Sequence, residues 1–267
     1  MRPRVVAARS LIRLSGLMES LAPMIMKPAD LVEFGRQTYA RPNTLSEWGC
    51  DECVDGGLSD AESRLLELIP ARHGRLLVLG VGGGREAIAL AQMGFDVTGA
   101  DFIPEMVEKA QANAAKRGFR IDGLIQNIGD LHLHPESFDI VWLSAGMYSS
   151  LPTRARRVGM LRRIHRALKL DGYFLLEFCR GARSYSAKVE RIRRAFALLT
   201  MGNTTYEPGD MLNNNYDFIH GFSSAEEVRR EFAEAGFAVA YLNFREDVFF
   251  GEAALRKERS PFNAPPA

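Results

Sequence analysis

The sequence predicts an α/β fold, a mostly parallel sheet with helices on both faces and a helical extension ahead of it. Three observations lead there. Short aliphatic runs, at 76–79 and 139–143 among others, alternate with stretches whose apolar residues recur at helical spacing. Glycines punctuate the junctions at Gly94, Gly118 and Gly236, and Asp171-Gly172 marks a turn between two apolar runs. Strands that succeed one another through helices run parallel, because a crossover of that length returns the chain to the same edge of a sheet.

Residues 1–20 carry Arg2, Arg4, Arg9 and Arg13 among Val5, Val6, Leu11, Ile12, Leu14 and Leu17, with Glu19 the first acid. A basic, apolar, acid-poor helix suits a membrane surface or a targeting segment, or a loosely attached helix with solvated arginines. A short helix over about 29–38 is followed by loop to residue 58, holding Tyr39 and Trp48, placed to close over a pocket. Ser59-Asp-Ala-Glu62 has the capping-box pattern and opens a helix that Pro70 stops. Strand 75–80 then meets four glycines in five positions, Gly80 and Gly82 to Gly84.

Helix 84–93 follows, then strand 95–100 running into Asp101, a helix over 104–117 opened by Pro104, and strand 121–126. Strand 139–144, an arginine-rich helix over 152–168 and strand 173–178 continue the beat. It breaks at a basic helix over 184–200 and a polar stretch, 202–221, too long for an idle loop. Ser224 opens a last helix, and 237–243 with 248–255 form a closing strand pair before a Pro-rich tail. The organisation expected is an extension (1–58), a main domain (59–256, with an insertion at 184–221) and a tail (257–267).

The 267 residues are 46% apolar, ample for a core, and the net charge of +1 gives no overall field to draw in nucleic acid. Cys50, Cys53 and Cys179 cannot all pair, which suits a reducing, cytoplasmic setting. Cys50 and Cys53 have metal-ligand spacing, but a structural zinc needs four ligands and no second pair or nearby histidine accompanies them, so no metal is expected. No apolar run reaches the length of a membrane span.

A strand, a glycine turn and a helix N-terminus together admit a ligand with an anionic end. The dinucleotide pattern G-x-G-x-x-G asks for glycine or alanine at 85, where Arg85 stands, whereas Gly80, Gly82 and Gly84 fit G-x-G-x-G. With Asp101 about 20 residues on, Asn127 to Asp139 in place of the acid-to-Ser-Phe-Asp stretch, and Leu168-Lys-Leu-Asp-Gly172 before strand five, the chain resembles the class I S-adenosylmethionine-dependent methyltransferases. That resemblance implies a Rossmann-like sheet of seven strands with the last antiparallel, S-adenosylmethionine as cofactor, S-adenosylhomocysteine as product and a small-molecule methyl acceptor. It implies cofactor contacts from Gly80, Val81, Gly82 and Gly84, ribose contacts from Asp101, and adenine contacts from Phe102, Ile103, Asn127 and Ile128, with Asp130 as a substitute acid. Ser144 and Ala145 complete the set. Val78 replaces the family's usual acid, so either another group, such as a backbone carbonyl at Gly80 or Ser144, takes the methionine amino group or cofactor binding is weakened.

Methyl transfer from a sulfonium is an in-line displacement, so alignment and proton removal are the tasks left to the protein. His220 is the expected general base and Tyr148 a second catalytic residue; Tyr39, Ser149 and Arg180 are expected to contact the acceptor. Methylation of a hydroxyl or amine by a monomer or homodimer, with weak membrane-surface contact through residues 1–20, is the main reading. Two alternatives stand beside it: a degenerate binding protein, motivated by Val78, and a nucleic-acid or protein methyltransferase, motivated by Arg154, Arg156, Arg157, Arg162, Arg163 and Arg166 on one helix with Arg191, Arg193 and Arg194 on the next.

Overall fold

The structure, a computed structural model, describes residues 3–181, 185–213, 217–245 and 248–258. Five helices lead: α1 (Pro3–Ile25), α2 (Pro28–Tyr39), α3 (Pro42–Trp48), α4 (Asp51–Asp55) and α5 (Asp60–Glu67). The alternating part runs β1 (Gly74–Leu79), α6 (Arg85–Gln92), β2 (Phe95–Asp101), α7 (Pro104–Lys116), β3 (Asp122–Ile125), β4 (Phe138–Leu143), α8 (Arg154–Ala167) and β5 (Leu168–Cys179). Then come α9 (Ala187–Leu199), β6 (Asp210–Asn213), β7 (Asp217–His220), α10 (Ala225–Glu234), β8 (Phe237–Asn243) and β9 (Phe250–Lys257).

Seven strands form one sheet in the order β3-β2-β1-β4-β5-β9-β8, and β9 is antiparallel to both its neighbours. Alternation along the strands divides the core in two. Leu77, Leu79, Val141 and Leu143 face α8 and α10, while Leu76, Val78, Ile140 and Trp142 face α5, α6 and α7. Strands β1 and β4 are buried on both faces, as the centre of a parallel sheet requires.

The structure departs from expectation in four places. The loop assigned to 40–58 holds α3 and α4, opened by Pro42 and by Cys50, whose sulfur accepts from the Cys53 N–H. Helices of seven and five residues lie below the length at which apolar periodicity can be read. The 202–221 stretch contains a separate hairpin, β6 against β7. Strand β5 starts at Leu168, ahead of the expected turn, and passes through Asp171 at φ 63°.

The fourth departure is α1. Its first half is exposed, but Ser20 and Met24 are buried, Arg193 donates to the Ser20 carbonyl at 3.2 Å, and the Asn203 N–H donates to the Met24 carbonyl at 2.7 Å. The helix is therefore tied to the insertion rather than loosely attached. Among the described residues no helix is long and apolar enough to cross a membrane. The tail beyond residue 258 and the start of the expected 184–200 helix lie outside the described residues.

Candidate active site

The site begins where β1 runs out. Gly80, Gly82 and Gly84 take φ of 70°, 50° and 98°, a region that side chains avoid. A Cβ on Gly80 would strike the Met147 sulfur, and one on Gly83 the Trp48 carbonyl; a Cβ on Gly82 would meet nothing within 4 Å, because that residue faces open space. Asp101 binds this turn to the end of β2. Its Oδ2 accepts from the Gly82 N–H at 3.2 Å and its Oδ1 from the Ile103 N–H at 3.1 Å, and burial raises its pKa.

A cavity of about 370 Å³ extends from this turn over the carboxyl ends of the strands. Gly80, Val81, Gly82, Asp101, Phe102, Ile103, Asn127 and Ile128 line one end of it. The Asn127 side-chain oxygen already accepts from the Gly129 N–H at 2.7 Å, so one of its lone pairs is committed to the turn after β3. Gly84 lies behind the lining, where it starts α6 and packs against Ala110. Asp130 points outward and pairs with Arg163 at 3.6 Å.

Ser144 and Ala145 line the cavity beside Glu86, which the sequence reading did not single out. Glu86 stands in the first turn of α6, accepts from the Ser144 hydroxyl and pairs with Arg85 at 2.7 Å. Arg85 is shared: both its terminal nitrogens donate to Glu62 at 2.7 Å, the same carboxylate that caps α5 through the Ser59 N–H. Burial raises the Glu86 pKa despite Arg85. Nearby Glu177 accepts from the Ala145 N–H at 2.7 Å and is pushed up to about 7 by burial, with Glu62 and Glu252 adding to it. Arg85 thus joins two carboxylates, Glu62 and Glu86, and of these Glu86 lines the cavity. Val78 is 1% exposed in the core and presents nothing to the cavity.

The far end is largely apolar. Met147, Phe218, Ile219, Phe249 and Phe250 line it, and Leu31, Val32 and Trp48 of α2 and α3 close one side. Its polar groups are Tyr39, which donates to Asp217 Oδ2 at 2.9 Å, together with Cys179 and Asn213. Burial pushes the Cys179 thiol up to about 12, so it stays protonated and neutral.

Four expected site residues lie elsewhere. Tyr148 is 0% exposed; it stacks on Phe222 and its hydroxyl donates to Glu231 in the core. His220 is 1% exposed and lies between Asp210 Oδ1 at 2.8 Å and Glu227 Oε1 at 3.4 Å, behind the hairpin. Burial works against its charged form, but Asp210 and Glu227 outweigh it and raise the pKa. Glu207, Asp210 and His220 are close enough to hold a cation, yet their atoms bond to one another and to Arg157. Ser149 accepts from the Cys179 N–H at 2.8 Å. Arg180 donates to the Val248 carbonyl at 2.7 Å and lies over Phe244, bracing the segment that carries Phe249 and Phe250.

On the basic helix α8, several of the arginines pair with acids. Arg157 is 1% exposed and paired with Glu231 at 2.7 Å, Arg162 reaches Glu234 at 3.2 Å, and Arg156 and Arg163 face Asp130.

The profile of the methyltransferase-domain family matches residues 76–172, from β1 into β5. The chain is 38% identical over 80 residues to a ubiquinone biosynthesis O-methyltransferase of Xanthomonas euvesicatoria pv. vesicatoria (strain 85-10), covering 30% of this chain and 32% of that protein. A protein of the same name from Xylella fastidiosa (strain 9a5c) is 36% identical over 74 residues, 27% of this chain and 30% of that one. The chain therefore spans about a third of the length of these curated relatives. Among solved structures, a SAM-dependent methyltransferase from Methanosarcina mazei aligns with TM-score 0.58 at 21% identity, covering 76% of this chain and all (100%) of that one. The PH0226 protein from Pyrococcus horikoshii OT3 aligns with TM-score 0.58 at 16% identity over 82% of this chain and 98% of its own. At these identities the structural likeness establishes the fold.

Proposed function

We propose that the chain carries a class I S-adenosylmethionine-dependent methyltransferase domain and methylates a hydroxyl or amine of a largely apolar small molecule. The observation that carries this is one cavity with unlike ends: a glycine turn with Asp101 at one, apolar side chains with a few polar groups at the other. The residues at the first end fit an adenosine. Gly82 leaves open space where any side chain would intrude, and each Asp101 oxygen keeps a lone pair for a ribose hydroxyl. Phe102, Ile103, Asn127 and Ile128 would hold the base, and Glu86 beside Ser144 would hold the ammonium of the methionine end in place of the acid missing at Val78. When bound, the cofactor supplies a methyl group already activated on a sulfonium.

The chain's own work is then positioning. Phe218, Phe249, Phe250 and Met147 would orient an apolar acceptor and keep water out, with α2 and α3 as the covering wall. The O-methyltransferase names of the partial relatives favour oxygen as the atom methylated. Val78 supports a second reading, a binding protein that has lost catalysis. Calorimetry with S-adenosylhomocysteine, followed by methyl-labelled donor and a panel of 4-alkylcatechols and alkylamines, decides between them. Micromolar binding with label transfer supports the enzyme; binding without transfer to any acceptor supports the degenerate protein; no binding removes both.

A further inference from the structure

The acceptor end of the cavity holds one acid that the cofactor end does not occupy. Asp101 is engaged by the Gly82 and Ile103 N–H groups, and Glu86 by Ser144 and Arg85. Asp217, the first residue of β7, lines the cavity; Tyr39 of α2 donates to its Oδ2 at 2.9 Å, and Asn213, its register partner on β6, also bonds to it. We propose that Asp217 takes the proton from an acceptor hydroxyl at this end of the cavity, with Tyr39 as the residue that positions it. The inference rests on the methyl-transfer reading above and narrows it to an oxygen acceptor.

The surroundings suit a base. Burial raises the Asp217 pKa, and the hydrogen bonds from Tyr39 and Asn213 offset this only in part, so the carboxylate binds a proton more readily than a solvated aspartate. The titratable groups facing it are Tyr39 from α2, whose own pKa burial and Asp217 raise, and Cys179 from β5, neutral for the same reasons; the turn at 148–150 packed on β7 brings Ser150 and no charge. In the step, the acceptor O–H bond breaks toward Asp217, and the oxygen's electron pair forms the new O–CH3 bond. The S–CH3 pair of the sulfonium donor stays on sulfur, and the proton later leaves Asp217 for solvent. A carboxylate fixed by a neighbouring hydroxyl can contribute a factor of about 10²–10⁴ in this role.

The test uses the full chain. With labelled S-adenosylmethionine and 4-alkylcatechols, Asp217→Asn is expected to lower kcat about 10²–10⁴-fold while the Kd for S-adenosylhomocysteine stays within about twofold. A cofactor-free measurement accompanies it: the pH at which bound 4-nitrocatechol ionises is expected to fall by about one unit in the variant, because a like charge beside the phenolate has gone. Tyr39→Phe removes a bond that lowers the Asp217 pKa, so the acid limb of kcat/KM is expected to move to higher pH with a smaller loss of rate. Unchanged turnover with an unmoved nitrocatechol midpoint in Asp217→Asn overturns the proposal and leaves methyl transfer standing. Should that variant fail to bind S-adenosylhomocysteine, an unmoved acid limb in Tyr39→Phe overturns it instead. A wild-type protein that methylates no member of the panel takes down both readings.

Discussion

Replacing Arg157 tests whether the cluster behind the hairpin is structural, as its burial indicates, or part of the chemistry. Arg157 is 1% exposed on α8, and its guanidinium donates to Glu231 through Nε at 3.1 Å and Nη2 at 2.7 Å, and to Glu207 through Nη2 at 2.9 Å. Tyr148 adds a hydroxyl to Glu231, and His220 bridges Asp210 to Glu227. One guanidinium therefore joins α8 to α10 and to the segment leading into β6. Arg157→Met leaves Glu231, itself 1% exposed, as a buried charge without a counterion. Removing one partner of a buried pair costs about 3–5 kcal/mol, a large share of the roughly 5–15 kcal/mol that stabilises a domain. At about 2–4 °C per kcal/mol for a chain near this size, the melting temperature is expected to fall by roughly 6–20 °C. Scanning calorimetry measures this, with urea unfolding to check that the slope m is unchanged. The double variant Arg157→Met/Glu231→Leu leaves neither charge buried and is expected to recover part of the loss. A single variant melting within about 2 °C of wild type, or a double variant no more stable than the single, refutes the reasoning.

Three further outcomes follow from the same geometry. Glu86→Gln is expected to weaken S-adenosylhomocysteine about 10–100-fold, the worth of a hydrogen bond to a charged group, and to leave methylthioadenosine, which lacks the amino-acid end, unaffected; equal effects on the two ligands would place Glu86 outside the methionine subsite. The His220–Glu227 contact gives the hairpin a pH window. The His220 pKa is raised above 6.5, so its contribution is complete below that value and is lost as pH rises through the folded pKa; Glu227 is lowered from 4.5 to about 2 by His220 and Ser223 against burial, so its contribution is present above 4.5 and is lost as pH falls toward 2. Hydrogen exchange of β6–β7 amides, normalised to β1, should be slowest between these limits, and a flat ratio across pH 4 to 8 counts against the bridge. Lastly, Leu11, Leu14, Met18 and Ile25 form an exposed stripe along α1 at 51–67% exposure, beside a sequence rich in arginine. Co-flotation with anionic vesicles at low salt is expected, reduced by Leu11→Ser/Leu14→Ser; absence of flotation removes the membrane contact.

The parts of this protein that were legible in the sequence are those whose physics is local. Aliphatic runs of strand length, capping boxes at Ser59 and Ser224 and glycines at helix ends gave the order of strands and helices, because each signal acts within a few residues. The glycine turn and Asp101 were legible for the same reason: a backbone at positive φ needs glycine, and the acid follows at a fixed spacing along one strand-helix-strand unit. His220, Tyr148 and Arg180 were misread because residue type carries chemistry only once burial and partners are known. A histidine between two carboxylates and a tyrosine stacked on Phe222 are indistinguishable in sequence from ones facing a ligand.

Glu86 and Asp217 show the converse. An acid in the first turn of α6 reads as an ordinary response to the helix dipole, and an acid before three apolar-to-aromatic positions reads as a strand end. What distinguishes them is long-range: Ser144 lies 58 residues from Glu86, and Tyr39 lies 178 residues from Asp217. One sequence signal does bear on the first case. With Val78 in place of an acid, the ammonium contact proposed above calls for a charge from another element, and α6 is the helix whose first turn starts at the glycine cluster. Glu86, four residues beyond Gly82, lines the cavity and accepts from Ser144, so under the proposed function the departure at 78 and the acid at 86 form one arrangement.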